Sequence, residues 1–269
     1  MQKIAKAERE IFLEKYIQNA PLGLALMRAL QCSMLSRPEY RRPVLDLGCG
    51  EGLFASILFK DYVDIGVDIN VSEIYSAQKT GVYQHVIAAD GGHIPLADGC
   101  VGTVYSNCVL EHLPDIEKVF TEVRRVLRKD GEFIFTAADK SFSKLLFFPA
   151  LLDIMGCRSI STWYAGLYDK VFKHYQRLNH EEWIRMLEGA GFKVLDSQVY
   201  FPPRAVQIYD LLLPLSIFAF INKRFLGRWV ISPSLRRRLL TGFGKRLLDN
   251  YYHMESKTGG EIFIRAIKV

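Results

Sequence analysis

From residue 44 onward, short apolar runs alternate with longer segments whose apolar residues recur at helical spacing. Short apolar runs are typical of buried strands, and the longer segments predict helices packed on the faces of a sheet. Strands that alternate with helices imply right-handed crossovers and a mostly parallel sheet. The predicted strands are Val44–Leu47, Val63–Val67, His85–Ala88, Thr103–Ser106, Gly131–Ala137, Phe192–Phe201 and Glu261–Val269, and the predicted helices between them are Glu51–Lys60, Val71–Gln78, Asp115–Arg128 and His180–Ala190.

Three segments fall outside this alternation. The first 35 residues predict two helices, broken near Pro21 and Gly23. Residues 139–178 are rich in Leu, Phe, Tyr and Trp, and residues 202–258 are apolar first and basic later. The apolar run Leu211–Ile221 is too short for a membrane span and contains a proline, so it predicts a buried or interfacial helix.

The composition is that of an ordinary globular protein, with 49% hydrophobic and 24% charged residues and a net charge of +6. The five cysteines are scattered and never form a CxxC pair, so neither a zinc site nor a disulfide framework is indicated. The N-terminal segment MQKIAKAEREIFLEKY lacks the apolar core of a signal peptide. These features together predict a cytoplasmic protein.

A glycine-rich loop follows the first predicted strand in VLDLGCGEGLF, residues 44–54. Glycine allows a tight turn and a close approach of the backbone to a ligand, because it has no Cβ atom. The first turn of the next helix offers unpaired N–H groups that can bind a pyrophosphate or a carboxylate. The spacing G-x-G-x-G differs from the G-x-G-x-x-G of nicotinamide dinucleotide folds. Asp46 would repel a pyrophosphate but suit an ammonium group.

Two further carboxylates stand where the next two predicted strands end. Asp68 closes the second strand in IGVDIN, and Asp90 follows the third in IAADGGHIPL. A carboxylate at the first position can accept both hydroxyls of a ribose, and one at the second can accept an amino proton of adenine. Ligands bind outside the carboxyl ends of strands in open α/β sheets, so the series Asp46, Asp68 and Asp90 predicts one binding site. The apolar candidates for packing on the adenine ring are Ile69, Ile94 or Leu96.

These segments resemble the class I S-adenosylmethionine-dependent methyltransferases, in particular the small-molecule type 11 group. The matching segments are VLDLGCGEG, IGVDIN, AADGGHIPLADG, YSNCVLEHL and EVRRVLRKDGEFIFT within residues 44–138, and more loosely HYQRLNHEEWIRMLEGAGFKV, residues 174–194. The resemblance implies S-adenosylmethionine as cofactor and a doubly wound, mostly parallel, Rossmann-like sheet of seven strands with an antiparallel last strand. One departure is Val101-Gly102, where the family usually has an acidic residue. The implied cofactor-binding residues are Asp46, Gly48, Cys49, Gly50, Gly52, Asp68, Ile69, Asp90, Gly91 and Asn107.

The two apolar insertions predict where substrate choice resides. Loops beyond the carboxyl ends of strands form the ligand pocket of doubly wound folds, and an apolar lid suits an apolar or amphiphilic acceptor. Such an acceptor could be a lipid-linked sugar, a polyketide-like product or a quinone-like ring. The aromatic residues expected to line its pocket are Tyr164, Tyr168 and Tyr175. The expected segments are N-terminal helices over 1–42, the cofactor-binding half over 43–138, a lid over 139–178, a helix and sixth strand over 179–201, a second insertion over 202–258 and a final strand over 259–269.

Two histidines are candidates for the general base that a hydroxyl acceptor would require. His112 follows the fourth strand, in the loop that faces the sulfonium in the resembled family, and His174 lies in FKHYQRL. Histidine suits this role because it titrates near neutral pH. Positioning alone supplies much of the rate of methyl transfer, so each histidine has an alternative role in ordering its loop. Oxygen is the preferred acceptor atom.

Other functions stay open at this point. A nicotinamide-dependent oxidoreductase is disfavoured by the glycine spacing and by Asp46. The positive charge permits methylation of nucleic acid or protein, but the basic residues after Ile221 lack interleaved aromatic residues, and no N/D-P-P-Y/F segment follows the fourth strand. A module that binds the cofactor without turnover is a further alternative. The basic residues within 205–246 also permit peripheral contact with an acidic membrane surface.

Overall fold

The computed structural model describes residues 6–252 and 258–269. Residues 1–5 of the predicted N-terminal helices and residues 253–257 of the predicted second insertion lie outside the described residues. The chain divides into two compact units. We call them the sheet unit, which contains residues 38–140, 172–199 and 261–269, and the helical unit, which contains the described parts of 1–37, 141–171 and 200–260.

One sheet of seven strands forms the sheet unit. Its strands are β1 Val44–Leu47, β2 Val63–Asp68, β3 Tyr83–Ala88, β4 Val101–Asn107, β5 Leu127–Ala138, β6 Phe192–Tyr200 and β7 Glu261–Lys268. Their order is β3-β2-β1-β4-β5-β7-β6. The first five strands pair in parallel, and β7 runs antiparallel to β5. The predicted doubly wound sheet with an antiparallel last strand is confirmed.

Helices connect the strands and form the second unit. Their bounds are α1 Lys6–Asn19, α2 Leu22–Leu35, α3 Leu53–Leu58, α4 Val71–Thr80, α5 Ile116–Val126, α6 Phe142–Leu145, α7 Phe147–Ile154, α8 Arg158–Val171, α9 His180–Gly189, α10 Pro203–Leu212, α11 Ser216–Leu226 and α12 Pro233–Tyr252. Local sequence explains where α9 begins, because Asn179 and Glu182 form a reciprocal capping box. Beyond its end, Gly191 adopts a φ of +83°, a conformation that favours glycine. The helix begins at its predicted first residue and ends one residue before its predicted last residue.

The core of the sheet unit lies between the sheet and helices α5 and α9. Trp183 of α9 is fully buried, with its ring centroid 5.6 Å from that of Phe135 and 6.4 Å from that of Phe120. On α5, buried residues recur every three or four positions, which gives the helix one continuous apolar face. This packing holds the central strands in place, and their carboxyl ends form one edge of the sheet.

Gly102 explains the departure from the family pattern at the start of β4. A Cβ atom at this position would lie 2.5 Å from the carbonyl oxygen of Arg41 and 2.8 Å from that of Arg42. Backbone atoms at these distances leave no room for a side chain. The segment before β1 therefore occupies the space that an acidic side chain would need.

In the helical unit, α1 and α2 are separated at Pro21, which precedes the first residue of α2. The predicted break near Pro21 and Gly23 is confirmed: it lies at Pro21, and Gly23 is already inside the first turn of α2. A Cβ atom there would come within 3.2 Å of the Leu212 Cβ atom, so the glycine serves close packing against α10. Lys245 of α12 forms ion pairs with Glu10 and Glu14 of α1, at 2.7 and 2.8 Å.

The apolar run Leu211–Ile221 is not one buried helix. Pro214 lies between the end of α10 and the start of α11, and the two helices are bent by 61°. Among the described residues, no single helix has both the length and the apolar content of a membrane span; α10 and α11 reach them only as a bent pair. The position of Pro214 accounts for the break, because proline lacks the N–H that a continuous helix needs.

Candidate cofactor-binding site

The glycine loop lies at the point where the chain order across the sheet reverses. β1 has β2 on one side and β4 on the other, and ligands bind at such switch points in doubly wound folds. The loop turns through three left-handed residues, Gly48, Gly50 and Gly52, with φ values of +78°, +51° and +79°. The N–H groups of Gly48 and Cys49 donate to the Val67 carbonyl, at 2.8 and 3.0 Å. These bonds fix the loop to the end of β2.

Space around the loop differs from one glycine to the next. A Cβ atom at Gly48 would lie 2.4 Å from the Val109 side chain, and one at Gly52 would lie 3.0 Å from the Tyr83 ring. At Gly50, no atom of the described residues lies within 4 Å of that position. The loop is therefore packed against protein at Gly48 and Gly52 and open at Gly50, as a loop that cradles a ligand would be.

Asp68 connects the end of β2 to this open part of the loop. Its Oδ2 atom accepts a hydrogen bond from the Gly50 N–H at 2.8 Å, and its Oδ1 atom accepts one from the Asn70 N–H at 2.9 Å. A carboxylate has about four acceptor positions, so two remain for ligand hydroxyls. Ile69, the next residue, is 71% exposed, which gives an apolar surface beside the carboxylate.

Asp90 lies two residues beyond the end of β3, the strand next to β2. Its Oδ1 atom accepts a hydrogen bond from the Gly92 N–H at 2.8 Å, and the residue is exposed. A Cβ atom at Gly91 would come within 3.1 Å of the Leu47 side chain, so this turn lies close to the end of β1. Of the apolar residues expected to pack on adenine, Ile94 is buried in the core, whereas Leu96 is half-buried.

Asp46 is enclosed by two tyrosines. Its Oδ2 atom accepts a hydrogen bond from the Tyr83 hydroxyl at 2.6 Å and a short one from the Tyr105 hydroxyl, and the residue is only 4% exposed. Burial raises the pKa of the Asp46 carboxyl to about 7, although both hydrogen bonds oppose this shift. Burial also raises the pKa of both phenols, with the Asp46 charge as the next cause. Of the three side chains in this cluster, the Asp46 carboxyl is therefore the one that titrates near neutral pH.

This environment predicts a stability that depends on pH. The pKa of Asp46 is raised from 3.8 in the unfolded chain, so the folded chain retains a proton that the unfolded chain releases between pH 4 and 7. The contribution of Asp46 to the free energy of unfolding should fall across this range, by at most about 1.4 kcal/mol per pH unit. In Asp46→Asn, the amide oxygen can still accept both phenol protons, and this decline should disappear. Urea unfolding of the wild type and of Asp46→Asn at pH 5 and pH 8 tests the prediction. An equal decline in the free energy of unfolding of the two proteins would contradict it.

The loop after β4 brings the two candidate histidines together. Their ring centroids lie 5.2 Å apart, and His112 Nδ1 lies 3.3 Å from the Lys173 carbonyl oxygen. The backbone carbonyl of Glu111 accepts hydrogen bonds from the N–H groups of Tyr175 and Gln176, at 2.8 and 3.0 Å. The segment that carries His174 is thereby held against the turn that carries His112. Their catalytic role stays a prediction.

The other predicted site residues have different surroundings. Asn107 Oδ1 accepts a hydrogen bond from the Thr136 hydroxyl at 2.8 Å. In the helical unit, the Tyr164 hydroxyl donates to Asp210 at 3.0 Å, and burial raises its pKa to about 12. Tyr168 is buried and stacks on Phe142, as a core residue does. Tyr175 belongs to the sheet unit and is exposed. Substrate contact by these tyrosines stays a prediction.

Two ion pairs of Arg125 were absent from the sequence predictions. Arg125 donates to the carbonyls of Ile94 and Leu96, both at 2.8 Å, and pairs with Asp98 and Glu122. The Glu122 carboxylate accepts a hydrogen bond from the Ile94 N–H at 2.9 Å. These two α5 residues therefore shape the loop after Asp90. Their spacing of three residues on a helix was a usable signal, because such residues face the same side.

Comparisons with known proteins identify the segment that carries the glycine loop. Residues 45–135 match the family model described as a methyltransferase domain. The malonyl-[acyl-carrier protein] O-methyltransferase of Nitrosospira multiformis is 32% identical over 147 residues, which cover 44% of this chain and 48% of that protein. The corresponding protein of Legionella pneumophila is 27% identical over 141 residues, covering 50% and 44%. The chain thus spans about half the length of these relatives.

Solved structures share the fold over most of the chain. A methyltransferase of Thermotoga maritima, described as a possible histamine N-methyltransferase, has a TM-score of 0.54 at 18% identity, covering 92% of both chains. The geranyl diphosphate C-methyltransferase of Streptomyces coelicolor A3(2) has a TM-score of 0.55 at 16% identity, covering 90% of this chain and 79% of that one. At these identities the likeness establishes the fold. With the family match, it identifies residues 45–135 as a methyltransferase domain of the type 11 group, on the fold of the class I S-adenosylmethionine-dependent methyltransferases.

Proposed function

We propose that the protein transfers a methyl group from S-adenosylmethionine to a small apolar or amphiphilic acceptor, with oxygen as the preferred atom. One observation carries the proposal: the glycine loop is open at Gly50 and is hydrogen-bonded there to Asp68, with Asp90 just beyond the end of the neighbouring strand β3. In this assignment the loop cradles the amino-acid end of the cofactor. Asp68 binds the ribose hydroxyls, and Asp90 binds the adenine amino group.

The residues around this site suit adenine recognition. Ile69 offers an exposed apolar side chain and Leu96 a half-buried one. The Glu122–Arg125 pair holds the loop that carries Leu96. Asp46 lies at the end of β1, where its ionised form would favour the ammonium group of the cofactor. These features support a nucleoside that carries an amino acid.

The protein's part in the reaction is orientation and proton removal. When bound, the cofactor supplies a methyl group on a cationic sulfur. The sulfur leaves as a neutral thioether, so the leaving group needs no further activation. A hydrogen bond from His112 Nδ1–H to the Lys173 carbonyl would leave Nε2 as the ring's proton acceptor. That atom could receive the proton of a hydroxyl acceptor, with His174 beside it. Oxygen as the acceptor atom is also favoured by the names of the two relatives, both O-methyltransferases.

Calorimetric titration of the full chain tests the cofactor assignment. S-adenosylhomocysteine is expected to bind with micromolar order of affinity, and NAD is expected not to bind. Binding of NAD in preference would instead favour an oxidoreductase.

An incubation with tritiated methyl donor tests the acceptor class. With a whole-cell lysate as acceptor source, label above that of a lysate without added enzyme is expected in organic-soluble product. Label in acid-insoluble nucleic acid or protein would contradict a small acceptor. Binding of S-adenosylhomocysteine without labelled product in any fraction would favour a module without turnover.

A further inference from the structure

Helix α11 presents its large apolar side chains outward. Four apolar residues fall within about a 100° arc of the helix and are between 48% and 80% exposed. Ser216 and Ala219, on the opposite side, are buried. A surface helix of a globular protein usually has the reverse arrangement, with its apolar stripe turned to the core. The four residues, which we call the apolar face of α11, are Ile217, Phe218, Ile221 and Phe225.

Helix α12 repeats this arrangement. Leu235, Leu239 and Phe243 recur at every fourth position and are 52–66% exposed. Arg238 and Arg246 are exposed on the same helix. The outward apolar residues therefore continue beyond one helix. A scatter of single exposed residues would need no explanation, but a repeated face indicates an interaction surface.

The charge of this region has one sign. Between Asp210 and Asp249 the sequence contains eight lysine and arginine residues and neither aspartate nor glutamate. Arg224 and Arg228, at the end of α11 and just after it, are exposed. Lys245 is paired with Glu10 and Glu14 of α1, so the exposed cations of α11 and of the segment after it carry the surface charge. A surface that is both apolar and basic matches a partner with an apolar interior and an anionic rim.

We propose that the apolar face of α11 docks on the surface of an anionic lipid membrane. Phe218 and Phe225 would enter the boundary between headgroups and acyl chains, and Arg224 and Arg228 would meet the lipid phosphates. A surface position fits better than a span, because α10 buries Val206 within the helical unit. This proposal concerns where the protein lies and is independent of methyl transfer.

Vesicle flotation with the full chain tests the proposal. At low salt, the protein is expected to float with phosphatidylcholine vesicles that contain about one-third phosphatidylglycerol, and at least tenfold less with pure phosphatidylcholine. Raising the salt should weaken the association, because it screens exposed charges. The double variant Phe218→Ser/Phe225→Ser and the double variant Arg224→Glu/Arg228→Glu are each expected to lower it at least tenfold.

Matched controls come from α4 in the sheet unit. Tyr75 is 63% exposed, comparable to Phe218 at 70%, and Lys79 is an exposed cation. Tyr75→Ser and Lys79→Glu should float as the wild type does. Circular dichroism and binding of S-adenosylhomocysteine verify that each variant folds.

Two results would overturn the membrane assignment. The first is that the wild-type protein does not float at low salt, or that Phe218→Ser/Phe225→Ser floats as well as the wild type. The second is failure to float together with a concentration-dependent dimer, measured by light scattering, that Phe218→Ser/Phe225→Ser abolishes. That outcome would assign the face to a second copy of the chain.

Discussion

Replacing Asp68 by alanine is expected to weaken binding of S-adenosylhomocysteine by about 1–3 kcal/mol, or up to roughly 150-fold. The carboxylate accepts hydrogen bonds from the N–H groups of Gly50 and Asn70, and in the proposed site it also accepts the ribose hydroxyls. Alanine leaves all of these donors without their acceptor and loosens the open part of the glycine loop. Calorimetric titration of the purified variant measures the change in affinity.

Asp64 provides a matched control on the same strand. Its Oδ2 atom accepts hydrogen bonds from the Val44 N–H at 2.7 Å and from Arg42 at 3.0 Å, at the opposite end of β2. Asp64→Ala should therefore lower stability while leaving the cofactor affinity of the folded protein unchanged. If both variants lost affinity equally, the loss would reflect a loosened sheet. If Asp68→Ala bound as the wild type does, the ribose assignment would be wrong.

The position of the three carboxylates was predictable because it depends on element order. Strands that run in parallel end at one edge, so Asp46, Asp68 and Asp90 had to lie on that edge once the alternation was recognised. The glycine loop followed from the same pattern. Strand bounds were close for the same reason: a buried strand has a clear apolar run, and β1 coincides with its predicted range.

The surroundings of these carboxylates were not predictable from the sequence. Tyr83 and Tyr105 meet at Asp46 from β3 and β4, a contact that depends on strand register and side-chain rotamers. The role of Gly23 depends on the neighbouring helix α10, which no local pattern reveals. Likewise, the apolar content of the second insertion was evident, but which face of α11 is outward depends on packing of its small residues.

Gly50→Ala is expected to weaken binding of S-adenosylhomocysteine on the order of 100-fold, because the added methyl group would enter the space of the proposed ligand. Among the described residues, no atom lies within 4 Å of its Cβ position, so the folded chain has room for the methyl group. Strain at a φ of +51° should still cost about 1–2 kcal/mol of stability. Titration and thermal unfolding separate the two effects.

Gly81→Ala distinguishes ligand exclusion from backbone strain. Gly81 ends α4 with a φ of +70°, and no described atom lies within 4 Å of its Cβ position either. The two variants should therefore lose similar stability, and only Gly50→Ala should lose affinity. Equal affinity in both would mean that the open side of the loop does not face the cofactor. A loss of affinity in both would mean that strain alone disturbs the site, and the assignment would then rest on Asp68 and Asp90.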